Sequence, residues 1–229
     1  MKKNIAIITA VSGKRDILRN PTKVFKNADY YAVVSKDITL DKSNNYWKIL
    51  PIINYHVNDR WSERINARFV KIMPQFYIKK KYDYIVWIDA CFDIVINPQD
   101  IIDEFMKEDT DFVSFNHPWR SCSYLEMSTC VAHKKDHRDL IEEQGKFYIK
   151  EKFPTNAGLF ASGCIIRKNN ERLDAFNRVW WEQITRFSSR DQLSLTYSLW
   201  KEKINYAVIQ EHIYTGKYTK NTVPHRTIE

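Results

Sequence analysis

Two aspartates stand where an apolar run ends. Tyr84 to Ile88 is apolar throughout, and Asp89 and Asp93 follow it. Consecutive apolar side chains suit a strand covered on both faces, as in a parallel sheet flanked by helices. Ligands of such sheets collect outside the carboxyl ends of the strands. A carboxylate there costs desolvation energy unless a cation or a hydrogen-bonding ligand meets it. The pair therefore points to a metal–nucleotide or sugar site; the plainer alternative is that Asp89 caps the next turn. Mg2+ and Mn2+ prefer oxygen ligands and commonly take only one or two protein carboxylates beside phosphates. Here Cys91 stands where the second acid of an Asp-x-Asp pair would be, and a thiol suits a hard cation poorly.

Three further clusters carry chemistry. Arg64, Arg68 and Lys71 are spaced by four and three, which puts them on adjoining parts of one helical face. Arginine forks suit phosphate oxygens, and a solvated basic face is the alternative. In Ser188 to Ser194 the serines are placed to cap a helix whose first turn holds Arg190, Asp191 and Gln192. Asp191 there favours the positive end of a helix dipole, and with Gln192 it also suits a sugar. Glu211 to Lys217 follows the last predicted strand, and its His212 and Lys217 fit a metal ligand and a phosphate contact.

The elements that must position these groups alternate. Strands are predicted over 4–10, 29–35, 47–53, 84–88, 111–115, 163–167 and 207–210, and helices over 98–107, 170–186 and 190–200. A helix opened by Ser62 carries Ile65, Phe69, Ile72 and Phe76, with a bend or break at Pro74. A surface helix is predicted over 128–147. The pattern predicts an α/β sandwich in one domain spanning residues 1–229. Neither Gly-x-Gly-x-x-Gly nor the P-loop pattern occurs, which disfavours a typical dinucleotide enzyme or P-loop NTPase.

At 229 residues, 44% hydrophobic and 14% aromatic, the chain can bury a sizeable core, and five glycines and seven prolines argue against disorder. No apolar run approaches the roughly 20 residues that span a bilayer. The apolar part of Met1 to Ala10 is short for a signal peptide, so a cytoplasmic protein is expected. Four scattered cysteines form no Cys-x-x-Cys pair, and reduced thiols are expected. The net charge of +8 is compatible with polyanions, an anionic membrane or an acidic substrate. Its patches are short and lack the aromatic interleaving of a nucleic-acid platform; peripheral membrane contact is open to them.

In this order the clusters resemble the family of mucilage-related and rhamnogalacturonan galacturonosyltransferases, a GT-A-like group. The resemblance runs through most of the chain. It is carried by Thr9 to Gly13 with Asp16, by Ala67 to Lys71 with Pro74, by Trp87-Ile-Asp89, and by the segment from His117 through Arg120 to Glu126. Ser162 to Arg167, with Gly163, and Phe187 to Ser194, with Arg190-Asp-Gln192, complete it. It implies a GT-A-like three-layer sandwich with a mostly parallel sheet. It further implies an enzyme that moves a hexosyl or related sugar from a nucleotide-sugar donor, UDP-linked, to a glycan or other hydroxyl acceptor in polysaccharide biosynthesis.

On that resemblance, Ala10, Ser12, Asp16, Arg64, Arg68, Lys71, Asp89 and Lys217 are expected at the donor nucleotide. His117, Arg120, Glu126, Ser162, Gly163 and Arg190 are expected at the acceptor or sugar, and Asp191 and Gln192 at the transferred sugar as catalytic groups. Asp89 and His212 are the expected ligands of Mn2+ or Mg2+, while Cys91 departs from the Asp-x-Asp pattern. Asp191→Asn is expected to abolish transfer and to leave folding and donor binding largely intact. A nucleotidyltransferase acting on sugar phosphates, or a basic polyanion-binding module without activity, is the alternative.

Overall fold

β-Branched and aromatic runs without polar alternation must be covered on both sides, and the chain meets that demand with a sheet between helical layers. The computed structural model describes residues 4–13, 17–36, 38, 46–54 and 61–222. β1 (Ile5–Val11), β2 (Ala28–Val34), β3 (Lys48–Pro51) and β4 (Tyr84–Ile88) run parallel. β5 (Phe92–Ile94) leaves this sheet and pairs with a late strand. β6 (Phe112–Asn116) and β7 (Phe160–Lys168) are antiparallel to each other, and β8 (Tyr206–Ile209) is parallel to β6 at the edge. β7 is also antiparallel to β4, so the central order is β3-β2-β1-β4-β7-β6-β8 with one reversed strand. β9 (Thr219–Asn221) is the antiparallel partner of β5.

Period-two alternation sorts the core. Ala6, Ile8, Trp87 and Ile165 point to the face covered by α1 (Ser62–Ile72), and Ile7, Val86, Ile88 and Ile166 to the face covered by α2 (Pro98–Phe105). α3 (Ser123–Ala132) and α4 (Arg138–Lys150) enclose a smaller aromatic cluster. α5 (Glu171–Arg186) adds Phe176 and Trp180 to the α1 face, and α6 (Asp191–Lys201) faces both that layer and the smaller cluster. Among the described residues no helix is long and apolar enough to cross a membrane.

The α/β architecture and the mostly parallel sheet are as predicted. Pro74 does end α1, in a single 3-10 turn at Pro74–Phe76. Asn97 and Asn170 cap α2 and α5, accepting from the N–H groups of Gln99 and Leu173. Ser62 does not cap α1, whose N-cap is Trp61. The predicted helix over 128–147 is two helices, with Lys134 at a positive φ of 49° in the turn between them. β5 and β9 are too short to carry a periodic signal.

One buried charge fastens the helical layer to the sheet. Arg167 is 1% exposed in β7 and donates to the carbonyls of Lys71 and Ile72 at the end of α1, and to Asn177 Oδ1 on α5 (2.9 Å). A cation suits the negative end of a helix. Burial lowers its pKa to about 9, so it stays charged at neutral pH. Arg167→Met would strand three buried acceptors, and a stability loss of about 3 kcal/mol is expected in urea unfolding. An unchanged midpoint would show that packing alone holds the end of α1.

Candidate active site

α1 delivers Lys71 to the carboxyl edge of the sheet, with its side chain wholly buried. Its Nζ lies 2.6 Å from Asp191 Oδ2, at the first turn of α6, and 3.2 Å from Asp89 Oδ1, just beyond β4. The Trp87 ring lies below it, 5.2 Å away, and the Trp87 indole donates to Asp89 Oδ1 (2.6 Å). Arg68, one turn earlier on α1, pairs with Asp191 Oδ1 (3.0 Å), and the Ser162 hydroxyl donates to Asp191 Oδ2 (2.7 Å). The Trp180 indole donates to the Asp191 backbone carbonyl and to Ser194 Oγ. Asp191 is thus held on every side.

Burial by itself would raise the Asp191 pKa, but Arg68 and Lys71 outweigh it and pull the carboxyl well below the usual range. Such a group stays ionised and is a poor proton acceptor at neutral pH. Asp89 differs, because its side chain keeps 28% exposure and lines a partly enclosed cleft. The cleft lies at the carboxyl ends of β1 and β4, between Thr9, Asn20, Trp47 and Asp93. Gly163 serves the same edge. Its carbonyl accepts the Asp89 N–H (2.8 Å), and a Cβ on it would sit 2.9 Å from the Phe92 ring.

Beyond Asp191 lies a second charged cluster. Glu126 is buried, bonded by Arg120 Nε and 3.9 Å from Arg190 Nη2, which also donates to Gln192 Oε1 (3.1 Å). His117 is buried beside it and accepts the Arg120 N–H at Nδ1 (3.2 Å). Burial lowers the His117 pKa to about 4, so the ring is neutral at physiological pH. Next to it Trp119 stands 63% exposed, in ring contact with His117, His212 and Tyr214. Tyr214 joins this ridge to the rest of the site. Burial raises its pKa, and the Asp89 carboxylate adds to that.

The structure brings Asp89, Lys71, Arg68, Asp191 and Ser162 into one cluster, and His117, Arg120, Glu126, Arg190 and Gln192 into its neighbour. Others fall elsewhere. Arg64 packs on Trp61 (4.0 Å) and donates to the Lys135 carbonyl (2.9 Å), which makes it a strut for the turn between α3 and α4. Lys217 bonds Tyr218 and lies 3.9 Å from Glu104 on α2. Ala10 is buried at the end of β1 and Ser12 follows in the loop, whereas Asp16 lies outside the described residues. Ser188 and Ser189 donate to the buried Asp136 instead of capping α6, whose N-cap is Arg190. Lys80 pairs with Asp29 at the opposite, amino end of the strands, so the Lys79 to Lys81 patch is remote from the cleft.

A divalent cation fits these residues poorly. One Asp89 oxygen is already taken by Trp87 and Lys71, and His212 Nδ1 accepts the Tyr214 N–H. Among the described residues no three His, Cys, Asp or Glu side chains converge.

Residues 1–223 match the TOD1/MUCI70 glycosyltransferase-like domain. The chain belongs to that family. A curated relative, "Probable hexosyltransferase MUCI70" of Arabidopsis thaliana, is 24% identical over 227 residues, covering 88% of this chain and 38% of the relative. The chain thus spans well under half the length of that relative. Two solved structures align with 90% of it. Mouse xyloside xylosyltransferase 1, in its apo form, does so at TM-score 0.48 and 10% identity, over 84% of its own chain. A glycosyltransferase involved in glycosylating the major capsid of PBCV-1 does so at 0.47 and 9%, over 81%.

Sequence reasoning gave no role to Trp119, Asp136 and Tyr214. Trp180 was legible only as a helix-face apolar residue, and Asp136 had no spacing partner at all. The burial of Asp191 also revises the consequence of removing its charge. Asp191→Asn leaves Lys71 buried against one carboxylate, and breaking such a pair costs about 3–5 kcal/mol at neutral pH. The folded pKa is depressed, so this carboxylate's contribution is full above its unfolded value of 3.8 and is lost as pH falls below it. Urea unfolding of wild type and Asp191→Asn should show a stability gap widest near neutrality and narrowing below about pH 4. A gap that does not change with pH would contradict the ion-pair assignment.

Proposed function

We propose that the chain transfers a sugar from a nucleotide-sugar donor, UDP-linked, to a hydroxyl of a glycan acceptor. One observation carries the reading: the cleft at the ends of β1 and β4 opens onto Asp89, behind which Lys71, Arg68 and Asp191 form a preset array of charge. Transfer needs a held donor and stabilisation of the charge that appears on the leaving diphosphate. Arg68 and Arg190 are cations of the site that keep partial exposure, at 17% and 21%, and suit that second task. Lys71 has no exposure and acts by fixing both carboxylates. Asp89 is the carboxylate that meets the ligand, and Asp191 positions Arg68. Family membership and the name of the Arabidopsis relative favour hexosyl transfer.

The ridge of Trp119, Tyr214 and His212 borders the same edge, next to Glu126, Arg120 and Arg190. Flat aromatic faces beside hydrogen-bonding charges suit a pyranose, which has apolar C–H faces and a hydroxyl rim. We assign this ridge to the acceptor. Mn2+ or Mg2+ would be held mainly by the donor's diphosphate, because the protein offers little coordination of its own.

Two measurements test this. A screen of nucleotide sugars should raise Tm with a UDP-sugar, and Mn2+ alone should leave Tm unchanged. Turnover should release UDP, whereas pyrophosphate would indicate a nucleotidyltransferase. In the same assay Asp89→Asn should lower kcat by about 100-fold or more. Trp119→Ala should raise the acceptor KM by roughly tenfold and leave the donor KM alone. An unchanged acceptor KM would remove the ridge from the acceptor site.

A further inference from the structure

The cleft beside Asp89 contains a second carboxylate, Asp93. Asp93 lies in β5, is only 8% exposed and lines the cleft. Its Oδ2 is fully buried and has no hydrogen-bond partner among the described residues. Thr9, at 1% exposure on β1, lines the same cleft with its hydroxyl oxygen equally buried and unpartnered. A buried carboxylate oxygen without a donor costs more than almost any other unpaired group. Two such groups lining one cleft mark a position where a ligand supplies the missing partners. Trp47 also lines the cleft; its indole N–H is committed to the Arg19 carbonyl (2.8 Å) and its ring stands edge-on to Tyr30.

An ionised carboxylate only accepts, and a hydroxyl both donates and accepts. The complementary ligand edge is a ring N–H next to a carbonyl. Uracil and guanine present that edge. Cytosine and adenine present a ring-nitrogen lone pair there, which the carboxylate repels. Building on the donor reading above, we propose that Asp93 reads the donor's nucleobase, accepting the ring N–H of uracil or guanine while Thr9 donates to the adjacent carbonyl. Asp93 would then set base specificity, and Asp89, which lines the same cleft, would stand towards the transferred group.

The test is isothermal titration of UDP, GDP, CDP and ADP into wild type, Asp93→Asn and Thr9→Val. Wild type should bind UDP or GDP at least roughly tenfold more tightly than CDP and ADP, and the two favoured arms tell uracil from guanine. In Asp93→Asn the amide donates where the carboxylate accepted, so the favoured base should weaken about tenfold and CDP should gain. Thr9→Val should weaken the favoured base without any gain for CDP. The apo Tm of Asp93→Asn should not fall, since Oδ2 has no hydrogen-bond partner to lose in the free protein; a purely structural aspartate would lower it. An unchanged preference in Asp93→Asn overturns the proposal and leaves the donor site standing. Failure of wild type to bind any of the four removes the donor reading, and this one with it.

Discussion

An ammonium group cut off from water persists only where anions replace its hydration shell, and they must approach from fixed directions. Lys71 imposes that demand on this fold. Its side chain has no exposure, and its two carboxylate partners come from segments 18 and 120 positions further along the chain. To satisfy it, α1 must lie along the sheet with its last turn at the carboxyl edge, β4 must end where Asp89 reaches back, and α6 must begin where Asp191 closes the pair. Desolvating one ion costs several kcal/mol, so the arrangement holds only because Arg68, Ser162, Trp87 and Trp180 share the load. Arg167 serves the same end from behind by holding the carbonyls of the last turn of α1.

That constraint divides labour between two aspartates. Asp191 is buried and saturated, and its charge orients cations; Asp89 shares the same lysine but keeps one side towards the cleft. The exposed part of the site is arranged around this core. A narrow cleft with unpaired polar atoms lies on one side, and a ridge of rings with a buried Glu126 beneath it lies on the other. A polar slot for a flat heterocycle and an aromatic shelf for a ring with apolar faces are different demands. The structure meets them with different segments on either side of the charge array.

The fold class was legible because it rests on local signals. The apolar run ending at Ile88 suits a strand covered twice, Pro74 bends or breaks a helix, and Asn97 and Asn170 sit before helices they cap. Elements of three residues carry no period, so β5 and β9 went unseen, and a turn at Lys134 divided what read as one helix. Within the site, residue type announced Asp89, Arg68, Lys71 and Asp191 as a set but did not say which would face a ligand. Arg64 shares the basic face of α1 with Arg68, yet it binds the turn before α4, because one helical turn moves a side chain beyond the reach of the cleft.

What the amino-acid order determined by itself was the alternation of strands and helices and the placing of acids and bases at element ends, since short-range sterics and apolar periodicity decide both. What only the tertiary structure decided was burial. Whether Lys71 meets phosphate or carboxylate, whether Asp191 accepts protons or holds cations, and whether Asp93 and Trp119 matter at all depend on which distant segments exclude water around them. Desolvation and charge pairing act through space, and no local pattern encodes them.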